Sequence, residues 1–208
     1  MSAPAKLRIG ILGSGRGSNA QCILEACQRG AIPAEVAIVL SDVENAKILD
    51  RARQFGVAAK FIPPGKFKTR LEPDVEREYV KALRDARVDV VALAGFMRIL
   101  KGDFLNAFPN RVMNIHPALL PAFPGLESWK QAIDYGAKVA GCTVHFVNEG
   151  MDTGPIILQA AVPVLENDTT ETLHARIQEQ EHRLYPRAIR LFAGGKLKID
   201  GRRVRILA

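Results

Sequence analysis

An amide and an imidazole, Asn114 and His116, stand two residues apart at the end of an apolar segment, residues 111–115, that has the composition of a buried strand. Successive side chains of a strand point to opposite faces, so these two side chains lie on the same side. In an α/β sheet, ligands bind outside the carboxyl ends of the strands. Both groups can therefore face one reacting atom, and the prolines that follow stiffen the next loop because proline fixes φ.

A second polar cluster, residues 145–155, also follows an apolar segment and contains His145 and Asp152. If the two strand ends converge, Asp152 comes close to His116. A carboxylate beside an imidazole favours the charged form and raises its pKa, which would supply a proton donor near neutral pH. The alternative is that Asn114 and His116 only form a structured turn before prolines. The presence of the second polar cluster makes this alternative less favoured.

The same polar residues, His116, His145 and Asp152, could instead be metal ligands, since imidazole and carboxylate suit zinc or iron. Recognisable ligand spacing, such as two histidines at i and i+4, is missing from the sequence. The three cysteines form no C-x-x-C pair, so neither a zinc site nor a disulfide framework is indicated. We therefore expect no metal, and a reducing, cytoplasmic location.

A glycine-rich turn, residues 13–19, separates a predicted strand at residues 7–12 from a predicted helix at residues 19–29. Free N–H groups and the helix dipole make such a turn an anion site. The glycines do not fit the dinucleotide pattern G-x-G-x-x-G, so a phosphate monoester is favoured over a dinucleotide. A tight turn without a ligand is the alternative, although Ser18 and Asn19 add donors that it would not need.

Apolar side chains also follow the most apolar predicted strand, residues 88–94, in the segment from Gly95 to Leu100. Apolar side chains at the carboxyl end of a strand are suited to bind a flat heterocycle. Taken singly, Met97, Ile99 and Leu100 are more typical of an ordinary core.

The whole chain alternates strands and helices, which predicts an α/β fold with a doubly wound, mostly parallel sheet and helices on both faces, in a single domain over residues 1–208. Further strands are predicted at residues 35–40, 57–62, 139–147 and 156–164, with a terminal hairpin at 197–199 and 204–207. Further helices are predicted at residues 45–55, 76–86, 128–135 and 170–192, the last capped by Asp168 or Thr169.

The composition is that of an ordinary globular protein, with 48% hydrophobic and 25% charged residues and a net charge of +7. The basic residues are spread along helices, apart from a short cluster at 196–205, so nucleic-acid binding is not predicted, while anionic small molecules are favoured. No segment reaches about 18 apolar residues, and residues 1–6 lack a signal-like apolar run, so no membrane partner is expected. A monomer or a homodimer fits equally well.

Four motifs, in this order along nearly the whole chain, resemble the phosphoribosylglycinamide formyltransferases, a family of folate-dependent formyltransferases. The motifs are Ser14-Gly-x-Gly17-Ser18-Asn19, Ala94-Gly95-Phe96-Met97-Arg98-Ile99-Leu100, Asn114-Ile-His116-Pro-x-Leu-Leu-Pro121, and Val144-His145-Phe followed by Asp152-x-Gly154-Pro155.

The resemblance implies a formyl transfer from 10-formyltetrahydrofolate, the co-substrate, to glycinamide ribonucleotide in purine biosynthesis. In catalysis Asn114 would bind the formyl oxygen, His116 would donate a proton, and Asp152 would keep His116 charged. The ribonucleotide would be bound by Gly17, Ser18, Asn19 and Glu181, and the folate by Arg70, Met97, Arg98, Ile99, Leu100 and Asn114.

The expected division is a phosphate-binding half at about residues 1–100 and a folate and catalytic half at about residues 101–208. Two departures from the family pattern are Pro73, where an aromatic residue is usual, and Ala118, where many relatives have serine.

Other readings stay open at this point. Methionyl-tRNA formyltransferases and formyltetrahydrofolate hydrolases have similar sites with additional domains, for which the length of this sequence leaves little room. From another class, a nucleotide-binding or RNA-binding module would use the positive charge but leaves Asn114, His116 and Asp152 unexplained. A salt-dependent affinity for RNA would favour it.

Overall fold

The computed structural model describes residues 6–208, so residues 1–5 of the N-terminal segment considered above lie outside the described residues. Its strands are, in chain order, β1 (Leu7–Leu12), β2 (Ala34–Ser41), β3 (Ala58–Phe61), β4 (Val90–Leu93), β5 (Val112–His116), β6 (Val139–Phe146), β7 (Ile156–Pro163), β8 (Leu197–Asp200) and β9 (Arg203–Ile206). Its helices are α1 (Ser18–Gln28), α2 (Lys47–Gln54), α3 (Pro73–Asp85), α4 (Gly102–Ala107), α5 (Ser128–Tyr135) and α6 (Thr170–Ala193).

These strands form one sheet in the order β3-β2-β1-β4-β5-β6-β7-β9-β8. The first five strands in that order pair in parallel, whereas β6 is antiparallel to both β5 and β7. The chain reverses its winding between β1 and β4, and a crevice opens at such a switch point outside the carboxyl ends of the strands. The predicted α/β fold with a mostly parallel sheet is confirmed.

Helices cover both faces of the sheet, as predicted. One face carries α1, α2, α5 and α6, which share a continuous apolar core with the inward side chains of the strands. The other face carries α3 and α4, packed through Tyr79, Leu83 and Phe104. All four residues of β4 are buried, because a parallel strand between two helical layers has no solvent face.

The helix boundaries differ from the prediction mainly around residues 70–110. Helix α3 begins at Pro73, three residues before its predicted start at residue 76. Proline is favoured in the first helical turn because its missing N–H would have no partner there. Helix α4 was not predicted, since its six residues are too few to display a helical period.

The longest helix, α6, begins at a predicted cap. The Thr169 hydroxyl accepts a hydrogen bond from the Thr172 N–H, and the Thr172 hydroxyl accepts one from the Thr169 N–H. Within residues 6–208, no helix is both long and apolar enough to cross a membrane.

Helix α6 is fastened to the two central strands by Tyr185. Its ring is fully buried, and its hydroxyl lies 3.1 Å from the carbonyl oxygen of Leu93 in β4 and 2.9 Å from that of Met113 in β5. Since Met113 directly precedes Asn114, this contact holds the helix to the strand that carries the predicted catalytic residues.

Tyr185→Phe should lower the free energy of unfolding by about 1–2 kcal/mol, because a buried hydrogen bond is lost and two buried carbonyls lose their hydroxyl partner. Urea denaturation measures the change. Tyr135→Phe is the matched control, because Tyr135 is 82% exposed and should leave stability unaltered. Equal stability of the two variants would contradict the role assigned to Tyr185.

Candidate active site

The predicted catalytic pair lies on β5, on the same face as two polar residues of the neighbouring strand β6. The antiparallel register places Asn114 opposite His145 and His116 opposite Thr143. Directly paired residues of an antiparallel ladder share a face, so the four polar side chains form one patch in an otherwise apolar sheet. The expectation that Asn114 and His116 point to the same side is confirmed.

Asp152 reaches this patch by a different route from the one predicted. Because β6 runs antiparallel to β5, its end lies beside the start of β5, where the Val147 N–H donates to the Val112 carbonyl. The two strand ends therefore do not converge. Instead the loop after β6 folds back over the patch, with Asp152 in the left-handed region at φ 52°.

Gly154 makes the return of this loop possible. A β-carbon at that residue would lie 1.6 Å from the carbonyl oxygen of Phe146, closer than any side chain allows. The glycine therefore lets the chain pass directly against β6 before β7 begins.

The carboxylate of Asp152 contacts three groups of the site. One oxygen, Oδ2, lies 3.5 Å from His116 Nδ1 and accepts a 2.9 Å hydrogen bond from the Gly125 N–H. The other oxygen, Oδ1, lies 3.7 Å from His145 Nε2. The predicted proximity of Asp152 and His116 is confirmed, and His145 joins them.

Both ring nitrogens of His116 face protein atoms. Nε2 lies 2.9 Å from the Phe123 carbonyl oxygen, which can only accept, so Nε2 carries a hydrogen. Nδ1 faces Asp152 and gains a proton when the ring becomes charged. The imidazole is 5% exposed, and the loop that contains Phe123 covers it.

Burial lowers the pKa of His116 below its ordinary value, and it outweighs the raising effects of the Asp152 carboxylate and the Phe123 carbonyl. The prediction of a raised pKa was therefore right about the effect of Asp152 and wrong about the net result. Burial tends to raise the pKa of Asp152, but the His145 ring, the Gly125 N–H and the charge of His116 bring it below its usual range.

The glycine-rich turn has the geometry of an anion site. Gly17 precedes α1 at φ 73°, and no side chain caps the first turn of the helix. A β-carbon at Gly17 would come within 2.9 Å of the Ile48 Cα, so only glycine fits here. The N–H groups of the first turn and the positive end of the helix dipole are thus directed at one place.

Two side chains of helix α6 form hydrogen bonds with residues of this turn. Gln178 Nε2 donates to Ser18 Oγ at 3.0 Å, and Asn19 Nδ2 donates to Glu181 Oε2 at 2.9 Å. Glu181 is 4% exposed, and burial raises its pKa against the lowering effect of the Asn19 amide. Gln178 was missed by the sequence analysis, although it stands one helical turn before Glu181 on the same face.

Residues 97–100 differ in their exposure and in their contacts. Met97 is 56% exposed, whereas Leu100 is 2% exposed and belongs to the core. The Arg98 guanidinium pairs with the buried Asp42 at 2.6 Å and also donates to the carbonyls of Phe67 and Lys68. The side chains of Leu100 and Arg98 thus have structural roles, which leaves their backbone for any ligand contact.

Asp42 links Arg98 to the glycine-rich turn through a second hydrogen bond. Its other oxygen accepts a hydrogen bond from the Ser14 hydroxyl at 2.5 Å, and that hydroxyl accepts one from the Met97 N–H at 2.9 Å. The first strand end and the segment after β4 are therefore held together by one polar chain.

Arg70 lies beside the segment after β4. It forms an isolated parallel bridge with Ile99, and its guanidinium stacks over the Phe67 ring at 4.2 Å from the centroid. Its side chain is exposed. The start of α3 at Pro73 therefore leaves Arg70 next to the predicted folate segment.

His116, His145 and Asp152 were also weighed as metal ligands. Across the described part of the chain, no group of three or more His, Cys, Asp or Glu side chains is arranged to hold a metal ion. Each oxygen of the Asp152 carboxylate instead faces a ring nitrogen of one imidazole.

Nuclear magnetic resonance titration should give His116 a pKa below the ordinary 6.5, because burial dominates. In Asp152→Asn the pKa should fall further, since the raising charge is removed while burial stays. His174, stacked on Trp129 away from Asp152, is the internal control and should titrate alike in both proteins. An unchanged or higher pKa of His116 in the variant would contradict the electrostatic role of Asp152.

Comparisons with known proteins identify similar chains. The phosphoribosylglycinamide formyltransferase of Escherichia coli (strain K12) is 42% identical over 205 residues, covering 95% of this chain and 96% of that protein. A crystal structure of glycinamide ribonucleotide transformylase 1 from Symbiobacterium toebii has a TM-score of 0.95 and 55% identity, covering 99% of this chain and 96% of that one.

A trifunctional purine biosynthetic protein adenosine-3 from Drosophila pseudoobscura pseudoobscura is 45% identical over 200 residues, but the chain spans 14% of its length. The family model for formyl transferases matches residues 7–189. The resemblance in the motifs is confirmed, and the chain belongs to the formyl transferase family.

Proposed function

We propose that this formyltransferase moves the formyl group of 10-formyltetrahydrofolate to the amine of glycinamide ribonucleotide, a step of purine biosynthesis. The observation that carries the proposal is the meeting of Asn114, His116 and Asp152 on one face of β5 and β6. The full-length relatives that bear this activity in their names support the choice of substrates.

The reaction is an attack by an amine on the formyl carbon, which forms a tetrahedral intermediate with a negative oxygen. An amide N–H of Asn114 and a charged His116 are suited to stabilise that oxygen. The attacking nitrogen then gives up one proton and the departing folate nitrogen receives one, so that the oxyanion returns to a carbonyl as the bond from carbon to the folate nitrogen breaks. The cysteines lie outside the patch, so no covalent enzyme intermediate is needed.

His116 needs two changes before it can deliver a proton. The substrate must replace the Phe123 carbonyl as the partner of Nε2, because that atom is otherwise occupied. The negative charge on the intermediate must add to that of Asp152, since Asp152 alone does not overcome burial. The first change accompanies substrate binding and the second accompanies formation of the intermediate, so the acid forms as the oxyanion develops.

For the ribonucleotide, we assign the phosphate to the start of α1, at Gly17, Ser18 and Asn19. Two observations support this assignment. No side chain caps the start of α1, and a residue larger than glycine would clash with Ile48 at position 17. Glu181 holds the Asn19 amide and so acts on the acceptor through that residue. The assigned acceptor site thus draws on residues of both α1 and α6.

For the folate, we assign Arg70 and the segment Met97–Leu100, together with Asn114. The exposed Met97 offers an apolar contact for a ring system, and the exposed cation of Arg70 suits a carboxylate of the folate tail. We place the protein in the cytoplasm, with small-molecule substrates only and as a monomer or homodimer. The unpaired cysteines support a reducing compartment.

The test of the function is an assay of formyl transfer from 10-formyltetrahydrofolate to three acceptors, namely glycinamide ribonucleotide, water and initiator tRNA. We expect transfer to the ribonucleotide to exceed the other two by orders of magnitude. Preference for water or for tRNA would assign the site to another formyltransferase activity.

Ser18→Ala should raise the KM for glycinamide ribonucleotide by roughly 10- to 150-fold, because one hydrogen bond to a charged phosphate is worth about 1.5–3 kcal/mol. The KM for the folate measured on the same variant is the control and should stay within error. An equal rise in both values would count against a phosphate site at α1.

His116→Ala should reduce kcat by roughly 10² to 10⁴-fold, because general acid catalysis and charge stabilisation are lost together. Folate affinity should persist, since Arg70 and residues 97–100 are untouched. His182→Ala is the control for removing an imidazole, because His182 lies on α6 and outside the patch on β5 and β6. Near-normal turnover by the His116 variant would remove this residue from the mechanism.

A further inference from the structure

His145 is the imidazole of the patch whose task the mechanism leaves open. It is 2% exposed, and both of its ring nitrogens have partners. Nδ1 lies 2.8 Å from the Phe146 carbonyl oxygen, and Nε2 lies 3.2 Å from Asn114 Nδ2. Its partners therefore include the residue that faces the reacting carbonyl.

The two contacts determine where the hydrogen of the ring lies. A carbonyl oxygen only accepts, so Nδ1 of His145 must carry the hydrogen. In the neutral ring Nε2 is then an acceptor, and it can bond only to the nitrogen side of the Asn114 amide. One N–H of Asn114 is thereby used, and the second N–H of the same nitrogen is left for a ligand.

Resting on the proposed formyl transfer, we infer that His145 is a positioning residue that turns the Asn114 amide so that its remaining N–H meets the formyl oxygen. An amide can rotate to exchange its oxygen and nitrogen, and the rotated form would present an oxygen to the developing negative charge. The acceptor nitrogen of His145 disfavours that rotated form. The oxyanion site is therefore fixed before the substrate arrives, which is the condition for effective electrostatic stabilisation.

The patch contains one carboxylate for two imidazoles, which assigns them different tasks. A proton on Nε2 of His145 would point at Asp152 Oδ1, 3.7 Å away, and would remove the acceptor that Asn114 needs. It would also repel a charge on His116, which faces the other oxygen of Asp152. His145 thus serves as the neutral acceptor while His116 takes the charge.

Two substitutions separate the acceptor from the bulk of the ring. His145→Phe keeps the volume and removes the acceptor, so it should lower kcat by about 10²-fold, as the loss of one oxyanion donor does, with both KM values little changed. His145→Gln offers a side-chain oxygen to the same N–H and should restore part of the rate. Equal activity of the Phe variant and the wild-type protein would overturn the inference.

A double-mutant cycle tells a positioning role from a structural one. If His145 acts through Asn114, then His145→Phe should cause no further loss of kcat in an Asn114→Ala background. Losses that multiply would show that His145 acts independently and would overturn the inference. Melting temperatures of each variant, with His182→Phe as the control for removing an imidazole elsewhere, separate a rate effect from unfolding.

A direct readout needs no activity at all. Nitrogen-15 chemical shifts of labelled wild-type protein at neutral pH should show His145 with its hydrogen on Nδ1 and a bare Nε2. A hydrogen on Nε2 would overturn the inference even if formyl transfer is observed. Absence of transfer to any acceptor would instead refute the proposed function while this tautomer result stands on its own.

Discussion

The site depends on one partly buried carboxylate, whose side chain is 13% exposed. Asp152 faces an imidazole with each of its oxygens and also accepts the N–H of Gly125, so it joins the loop after β6 to the loop after β5. A buried charge is tolerated only where such partners surround it. Burial nevertheless keeps the pKa of His116 low. The negative charge of the intermediate must therefore add to that of Asp152 to raise the pKa of His116.

The fold followed from local patterns that are strong in this chain. Alternating apolar segments gave the strands of a doubly wound sheet to within a residue or two, and Thr169 gave the start of α6. The proline at residue 73 was harder to interpret, because it fits both a loop and a first helical turn. Helix α4 left no signal, since its six residues are held by the packing of Phe104 between the sheet and α3 rather than by a period of their own.

The site was predictable where it rests on the period of a strand and not where it rests on tertiary contacts. The spacing of Asn114 and His116 alone placed both on one face. The antiparallel register of β6 places His145 beside Asn114. Polar residues at the alternate positions 143 and 145 were the sequence signal that could have suggested a polar face on this strand. The pairing of Arg98 with Asp42, 56 residues away, and the effect of burial on His116 have no local signature.

The central claim is that Asp152 acts by its charge and not by shaping its loop. Asp152→Asn keeps the size of the side chain and removes the charge, so kcat measured against pH tests the claim directly. We expect kcat to fall strongly and its alkaline limb to move to lower pH, with the melting temperature little changed. An unshifted pH profile with a lower melting temperature would contradict the account and make Asp152 a turn residue only.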